Sequence, residues 1–159
     1  MGYVVETLKI RNGGDVFKAQ QGELAPEAVR VIEVRAMVDT GANVMGLYQN
    51  DIDRLGYNPT QSSTHAVTTG HGIKQARIYP GLEFELLERN AFHDAMVIDD
   101  SLPRIIGVTL LETLDLAVNP NSGRVIFNPE HGEQWTRKWL SIWTEDGTYP
   151  YPERSRRSG

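Results

Sequence analysis

The strongest constraint on the fold is an alternation that stops at a carboxylate. Residues 31–38 read Val-Ile-Glu-Val-Arg-Ala-Met-Val, which puts Ile32, Val34, Ala36 and Val38 on one face and Glu33 and Arg35 on the other. That is the pattern of a strand with one buried side. Asp39-Thr40-Gly41-Ala42 follows at once, and Gly41 permits a tight turn. The chain therefore holds a carboxylate rigidly at a sheet end. Alone the signal is weak, because Asp and Gly are ordinary residues of solvated turns.

A second element lies far downstream. In Pro103-Arg104-Ile105-Ile106-Gly107-Val108-Thr109-Leu110-Leu111-Glu112 two large apolar residues precede a glycine that opens a helix-like run. Between the two elements, residues 65–68 and 73–79 flank Thr69-Gly70-His71-Gly72, whose two glycines suit a tight hairpin.

This combination resembles the retropepsin-like aspartic proteases (clan AA), and within them the single-domain prokaryotic-type members, over residues 3–129. The resemblance implies an all-β fold: an acid-protease β-barrel or sandwich with a flap hairpin and one or two short helices, active as a homodimer. It implies that Asp39 is catalytic, that Thr40 hydrogen-bonds across the dimer axis, and that Gly41 lets the two loops approach. Ala42, Ile106 and Gly107 would pack around the loop, with Gly107 admitting the neighbouring backbone. Thr69, Gly70, His71 and Gly72 would form the substrate-binding flap tip. Asn43 stands where relatives often carry Ser or Asp, and the flap lacks a long Gly-rich tip.

Hydrolysis by carboxylates needs one ionised group to take a proton from water and one protonated group to polarise the scissile carbonyl. Aspartic proteases are the well-known case, since like charges a few ångströms apart share a proton. Here Asp-Thr-Gly occurs once; neither Asp100-Ser101-Leu102 nor Asp146-Gly147-Thr148 reproduces it. A chain of 159 residues is also too short for two pepsin-like lobes. The second Asp39 must come from a second copy through an isologous interface. The expected activity is endopeptidase cleavage of an extended peptide or protein substrate, without metal or cofactor. The alternative is a catalytically weak dimeric peptide-binding module of the same fold.

Composition narrows the rest. There is no cysteine, hence no disulfide and no thiolate chemistry. His65, His71, His93 and His131 lack ligand spacing, so no metal site is expected. A formal charge of −5 argues against nucleic acid. Neither a targeting segment nor a membrane span is apparent, and a cytoplasmic protein is expected. Gly-x-Ser-x-Gly, phosphate-loop and His-Glu-x-x-His signatures are missing.

The remaining pattern predicts a first strand over residues 3–10, a turn at Asn12-Gly13-Gly14-Asp15, and further strand over residues 17–38 broken at Ala25-Pro26. Asn50 would cap a helix over residues 51–55 that ends at Gly56. Leu82, Phe84 and Leu86 alternate with Glu83 and Glu85, and a turn at Glu88-Arg89-Asn90 leads into a strand over residues 92–98. Residues 116–118 and 124–127 flank a turn that closes a catalytic domain of residues 1–129. An extension, residues 130–159, carries Trp135, Trp139 and Trp143 at helical spacing. Packing of this stripe on its own domain is the expectation, with the second subunit as the alternative surface.

Overall fold

The computed structural model describes residues 2–137. Strand β1 (Val5–Arg11) pairs antiparallel with β2 (Val31–Asp39), and Leu8, Ile10, Ile32, Val34 and Ala36 all face inward, as the alternation requires. Strands β3 (Met45–Leu47), β4 (Ser63–Thr69), β5 (Gly72–Leu86), β6 (Arg89–Val97) and β7 (Ile105–Gly107) extend this sheet in the order β1-β2-β7-β3-β6-β5-β4. Because β1 also pairs with β5, six strands close on themselves as a barrel, and β4 hangs on β5 as the outer arm of a hairpin. Strands β8 (Leu116–Asn119) and β9 (Arg124–Phe127) form a separate antiparallel pair around the expected turn. The fold is all-β and retropepsin-like, with short helices at the barrel's corners.

Three α-helices are present among the described residues: α1 (Gly13–Gln20), α2 (Gln49–Arg54) and α3 (Val108–Thr113). The first corrects the sequence reading, which had a turn at residues 12–15 and strand from residue 17. Asn12 is not a turn residue but an N-cap, its side chain accepting the Asp15 N–H at 3.0 Å. Asp15 then holds Arg30 through two guanidinium bonds, at 2.7 and 2.8 Å, which fastens the helix to the entry of β2. At Gly13 a side chain would overlap the Gly81 carbonyl, so the helix start sits directly on the bulge of β5. Pro26–Ala28 is a single 3₁₀ turn rather than a strand break.

Smaller corrections have the same character. Tyr48, not Asn50, is the N-cap of α2, and Asp51 reaches back to accept the Tyr48 N–H at 3.0 Å. The turn between β5 and β6 is Leu87-Glu88, with φ of +50° and +63°, so Arg89 and Asn90 already belong to β6. Glu83 does not face water: it is buried, accepting from Arg11 at 2.9 Å and from Asn90 at 3.2 Å. Glu85 is half-buried on the same arginine.

One core fills the barrel. Leu8, Ile10, Met45, Leu47, Tyr79, Leu82, Phe84 and Ile106 meet inside, and Ile52, Leu55, Leu110 and Leu114 seal it from the helices. Burial of an aliphatic or aromatic side chain contributes about 1.5–3 kcal/mol, and this interior is what makes the strand ends rigid. A second fastening lies at the entry to β7. Arg104 makes a two-pointed pair with fully buried Asp51, at 2.7 and 2.9 Å, and stacks on Tyr48 with its guanidinium carbon 4.1 Å from the ring centre. The segment that enters β7 is thereby tied to the helix that follows β3.

Trp135 opens the predicted tryptophan stripe but lies in irregular chain after a turn, not in a helix. It packs on its own subunit, its indole N–H donating to the Thr113 carbonyl at 3.1 Å. Trp139 and Trp143 lie outside the described residues.

Candidate active site

Two strands running in parallel build the site. Over the last residues of β2, Met37, Val38 and Asp39 lie beside Ile105, Ile106 and Gly107 of β7. Asp39 and Gly107, which are 68 positions apart in sequence, are thus direct neighbours. Ile106 is fully buried and anchors this pairing.

After Asp39 the chain turns sharply. The Ala42 N–H donates to the Asp39 carbonyl at 3.1 Å, and the Gly41 N–H donates to Asp39 Oδ1 at 2.9 Å. The second bond fixes the rotamer of the carboxylate. Its other oxygen has no partner among the described residues, and Thr40 and Gly41 are exposed.

Residues 42–44 then cross over β7 and α3. The Val108 N–H donates to the Ala42 carbonyl at 2.8 Å, and the Thr109 hydroxyl to the Asn43 carbonyl at 3.0 Å. Gly107 makes the crossing possible: a Cβ there would overlap the Val44 carbonyl oxygen and come within 2.9 Å of the Val44 nitrogen and carbonyl carbon. Steric need, not turn conformation, explains this glycine. Asp39, Gly41, Ala42, Ile106 and Gly107 therefore converge on one corner. Thr40 sits on its outer surface, where its hydroxyl makes no hydrogen bond among the described residues.

Thr69, Gly70, His71 and Gly72 form the tip of the β4–β5 hairpin, with Thr69 opposite Gly72 and Gly72 at φ +107°. The Thr69 hydroxyl donates to the Gly72 carbonyl at 2.8 Å and accepts the His71 N–H at 3.2 Å, which stiffens the tip. Between the hairpin stem and the barrel lies a cleft of about 340 Å³. Val44, from the end of the Asp39 turn, shares its lining with Ser63, His65, Val67 and Ile78 of the hairpin. Turn and hairpin thus meet on a common concavity. A larger depression, about 630 Å³, lies between α1 and the Arg11–Glu83–Glu85 cluster, and none of the predicted site residues lines it.

Sequence reading missed Val44, Thr109 and Arg104. Val44 and Thr109 act through contacts between segments about 65 positions apart, for which no local pattern exists. Arg104 adjoins Ile105-Ile106-Gly107, but its partner Asp51 lies 53 positions away in the sequence. No group of three or more residues suited to holding a metal occurs among the described residues. Nor is any helix among them long and apolar enough to cross a membrane.

An aspartate fixed by its own turn, at the end of a barrel strand and against an Ile-Ile-Gly strand, defines the aspartyl protease class. Comparison with family models agrees: the aspartyl protease family, retropepsin-like and of clan AA, matches residues 28–110, just over half of the chain. The chain belongs to that family. A search of the curated proteins returns no match.

Proposed function

We propose that the protein is an aspartic endopeptidase whose active form is a symmetric homodimer, each subunit supplying one Asp39. The observation that carries this reading is the half-satisfied corner. One carboxylate per chain is oriented by the Gly41 N–H, and it stands beside an exposed Thr40 whose hydroxyl has no partner among the described residues. A second copy around a two-fold axis would complete both: Thr40 would bond across the axis, and the two Asp39 carboxylates would share a proton.

In that assembly the ionised Asp39 takes a proton from water as the water attacks the peptide carbonyl. The partner's Asp39, protonated, donates to the carbonyl oxygen, and no covalent intermediate forms. Substrate lies extended between the Asp39 turn and the β4–β5 hairpin, which acts as the flap. Main-chain hydrogen bonds hold it, and pockets choose its side chains.

The test is to incubate the protein and Asp39→Asn with a diverse peptide mixture between about pH 4 and 7, with and without pepstatin, and to read new termini by mass spectrometry. Sedimentation measures the assembly in parallel. Cleavage that disappears in Asp39→Asn, from a dimeric species, supports the proposal. A verified dimer that binds peptides, with identical uncut profiles for the two proteins, would instead favour a peptide-binding module.

A further inference from the structure

The depression of about 630 Å³ beside α1 shares no residue with the Asp39 corner, and it has two kinds of lining. Val16, Ala19 and Val29 give it an apolar wall. Opposite them stand Glu83, Glu85 and Glu88, with Arg11 the one cation among the lining residues.

Arg11 answers two of these carboxylates, meeting Glu83 Oε1 and Glu85 Oε2 at 2.9 Å each. Burial works against the Arg11 charge, but its bonds to Glu85 and Glu83 outweigh that and raise its pKa above the ordinary value. The other Glu85 oxygen and the exposed Glu88 carboxylate have no hydrogen-bond partner among the described residues. Lys9 stands opposite Glu85 in the β1–β5 register but does not line the depression. Three carboxylates thus face one guanidinium in a hollow with an apolar wall.

The chain itself supplies a complementary segment. Residues 154–159 read Arg-Ser-Arg-Arg-Ser-Gly and hold three of the 16 basic residues and none of the 21 acidic ones. Tyr149-Pro150-Tyr151-Pro152 lies just before them and offers aromatic surface for an apolar wall. Each proline restricts the unbound segment and so lowers the cost of ordering it. The described chain also passes close by. The Glu133 carbonyl accepts from Arg89 at 3.0 Å, and Arg89 stands between Glu88 and Asn90, both of which line the depression. From Arg137, where the described residues end, 17 positions lead to Arg154. That is enough for about 55 Å of extended chain, so reach is not limiting.

We propose that residues 149–157 dock in this depression on their own subunit, the arginines bonding Glu85 and Glu88 while the tyrosines cover Val16, Ala19 and Val29. A guanidinium meets a carboxylate through two parallel bonds, which gives the contact a fixed geometry as well as attraction. The extension is then a strap over the face that bears α1, and it leaves the β4–β5 hairpin and the Asp39 corner uncovered. Nothing in this assignment depends on catalysis by Asp39.

Because the chain has no cysteine, two introduced thiols report this contact directly. Gln20 is exposed and lines the depression, so Gln20→Cys leaves every carboxylate in place. Combined with Ser158→Cys in the whole chain, it should form an intrachain disulfide under mild oxidation roughly tenfold faster than His71→Cys combined with Ser158→Cys. His71 is the control because it sits at the exposed hairpin tip. Electrophoresis without reductant separates bonds within a chain from bonds between chains. Adding Arg154→Glu, Arg156→Glu and Arg157→Glu to the Gln20→Cys/Ser158→Cys variant should bring the two rates together, and about 1 M salt should narrow the difference. Equal rates for the two cysteine pairs, a faster bond at the hairpin tip, or an advantage that survives the charge reversal overturns the proposal. So does a Gln20→Cys bond formed between chains, which would put the segment on a second copy.

Discussion

Two aspartates in this chain stand at corners of the fold and have opposite fates. Asp39 ends β2, and among the described residues its carboxylate takes one hydrogen bond, from the Gly41 N–H, in an exposed turn. Asp115, just after α3 at φ +53°, is buried, and its carboxylate accepts from Asn128 at 2.9 Å, from the Thr136 N–H at 3.0 Å, and from His131 Nδ1 at 3.0 Å to each oxygen. Burial alone would raise the Asp115 pKa. The bonds from His131, Thr136 and Asn128 outweigh it and hold the group at about 2.

Beside Asp115, buried Arg89 donates to the carbonyls of Leu114, Asp115 and Glu133 at 2.9–3.0 Å, with its guanidinium 4.4 Å from the centre of the Phe127 ring. A carboxylate satisfied within its own chain fastens the fold. One left with an open oxygen is available for chemistry.

The largest effect expected from breaking this contrast is on activity. Asp39→Asn should lower turnover at least about a hundredfold while the urea midpoint of the fold stays put; a variant that unfolds early would show Asp39 to be a structural residue after all. Arg89→Ala should have the mirror effect on stability. It leaves three carbonyls without their donor and should cost about 3 kcal/mol or more in urea unfolding. A loss under 1 kcal/mol would mean that the Asp115 corner is not a fastening.

Gly107→Ala should cost about 2–3 kcal/mol by forcing residues 42–44 off β7, and should reduce turnover beyond what the lost folded fraction explains. Unchanged stability would contradict the close approach of Val44.

Asp115 gives a smaller, pH-gated effect. Its folded pKa lies below the ordinary value, 3.8 against about 2, so its contribution is complete above 3.8 and drains away as pH falls towards 2. Unfolding midpoints measured from pH 5 downward should fall through that window, and Asp115→Asn should flatten this part of the curve. The smallest effect is expected at Tyr79, whose buried hydroxyl has no partner among the described residues. Tyr79→Phe should be neutral or stabilise by up to about 1 kcal/mol, and a loss larger than that would reveal a partner for the hydroxyl.

Legibility in the sequence followed the range of the interactions. The strand of Ile32, Val34 and Ala36, the Asp39 turn, the hairpin around Gly70 and the helix after Gly107 are written in local alternation and turn chemistry, and each is found where that chemistry puts it. Helix α1 was hidden because Asn-Gly-Gly-Asp suits a turn as well as it suits an N-cap; the choice is made by Arg30 and Gly81, which lie far along the chain. Glu83, Arg89 and Asp115 are buried through interactions of the same kind. Their partners are distant or sit beyond a turn, and nothing adjacent announces them.

The parallel pairing of β2 with β7 also has a consequence in time. Asp39 leaves the ribosome long before Ile105-Ile106-Gly107 does, and the turn that orients its carboxylate packs on a strand that does not yet exist. Contacts of such wide sequence separation form late, because the intervening loop must close first. A growing chain therefore carries its aspartate unassembled while residues 40–106 are made, and the corner is completed only when the barrel has nearly all been made.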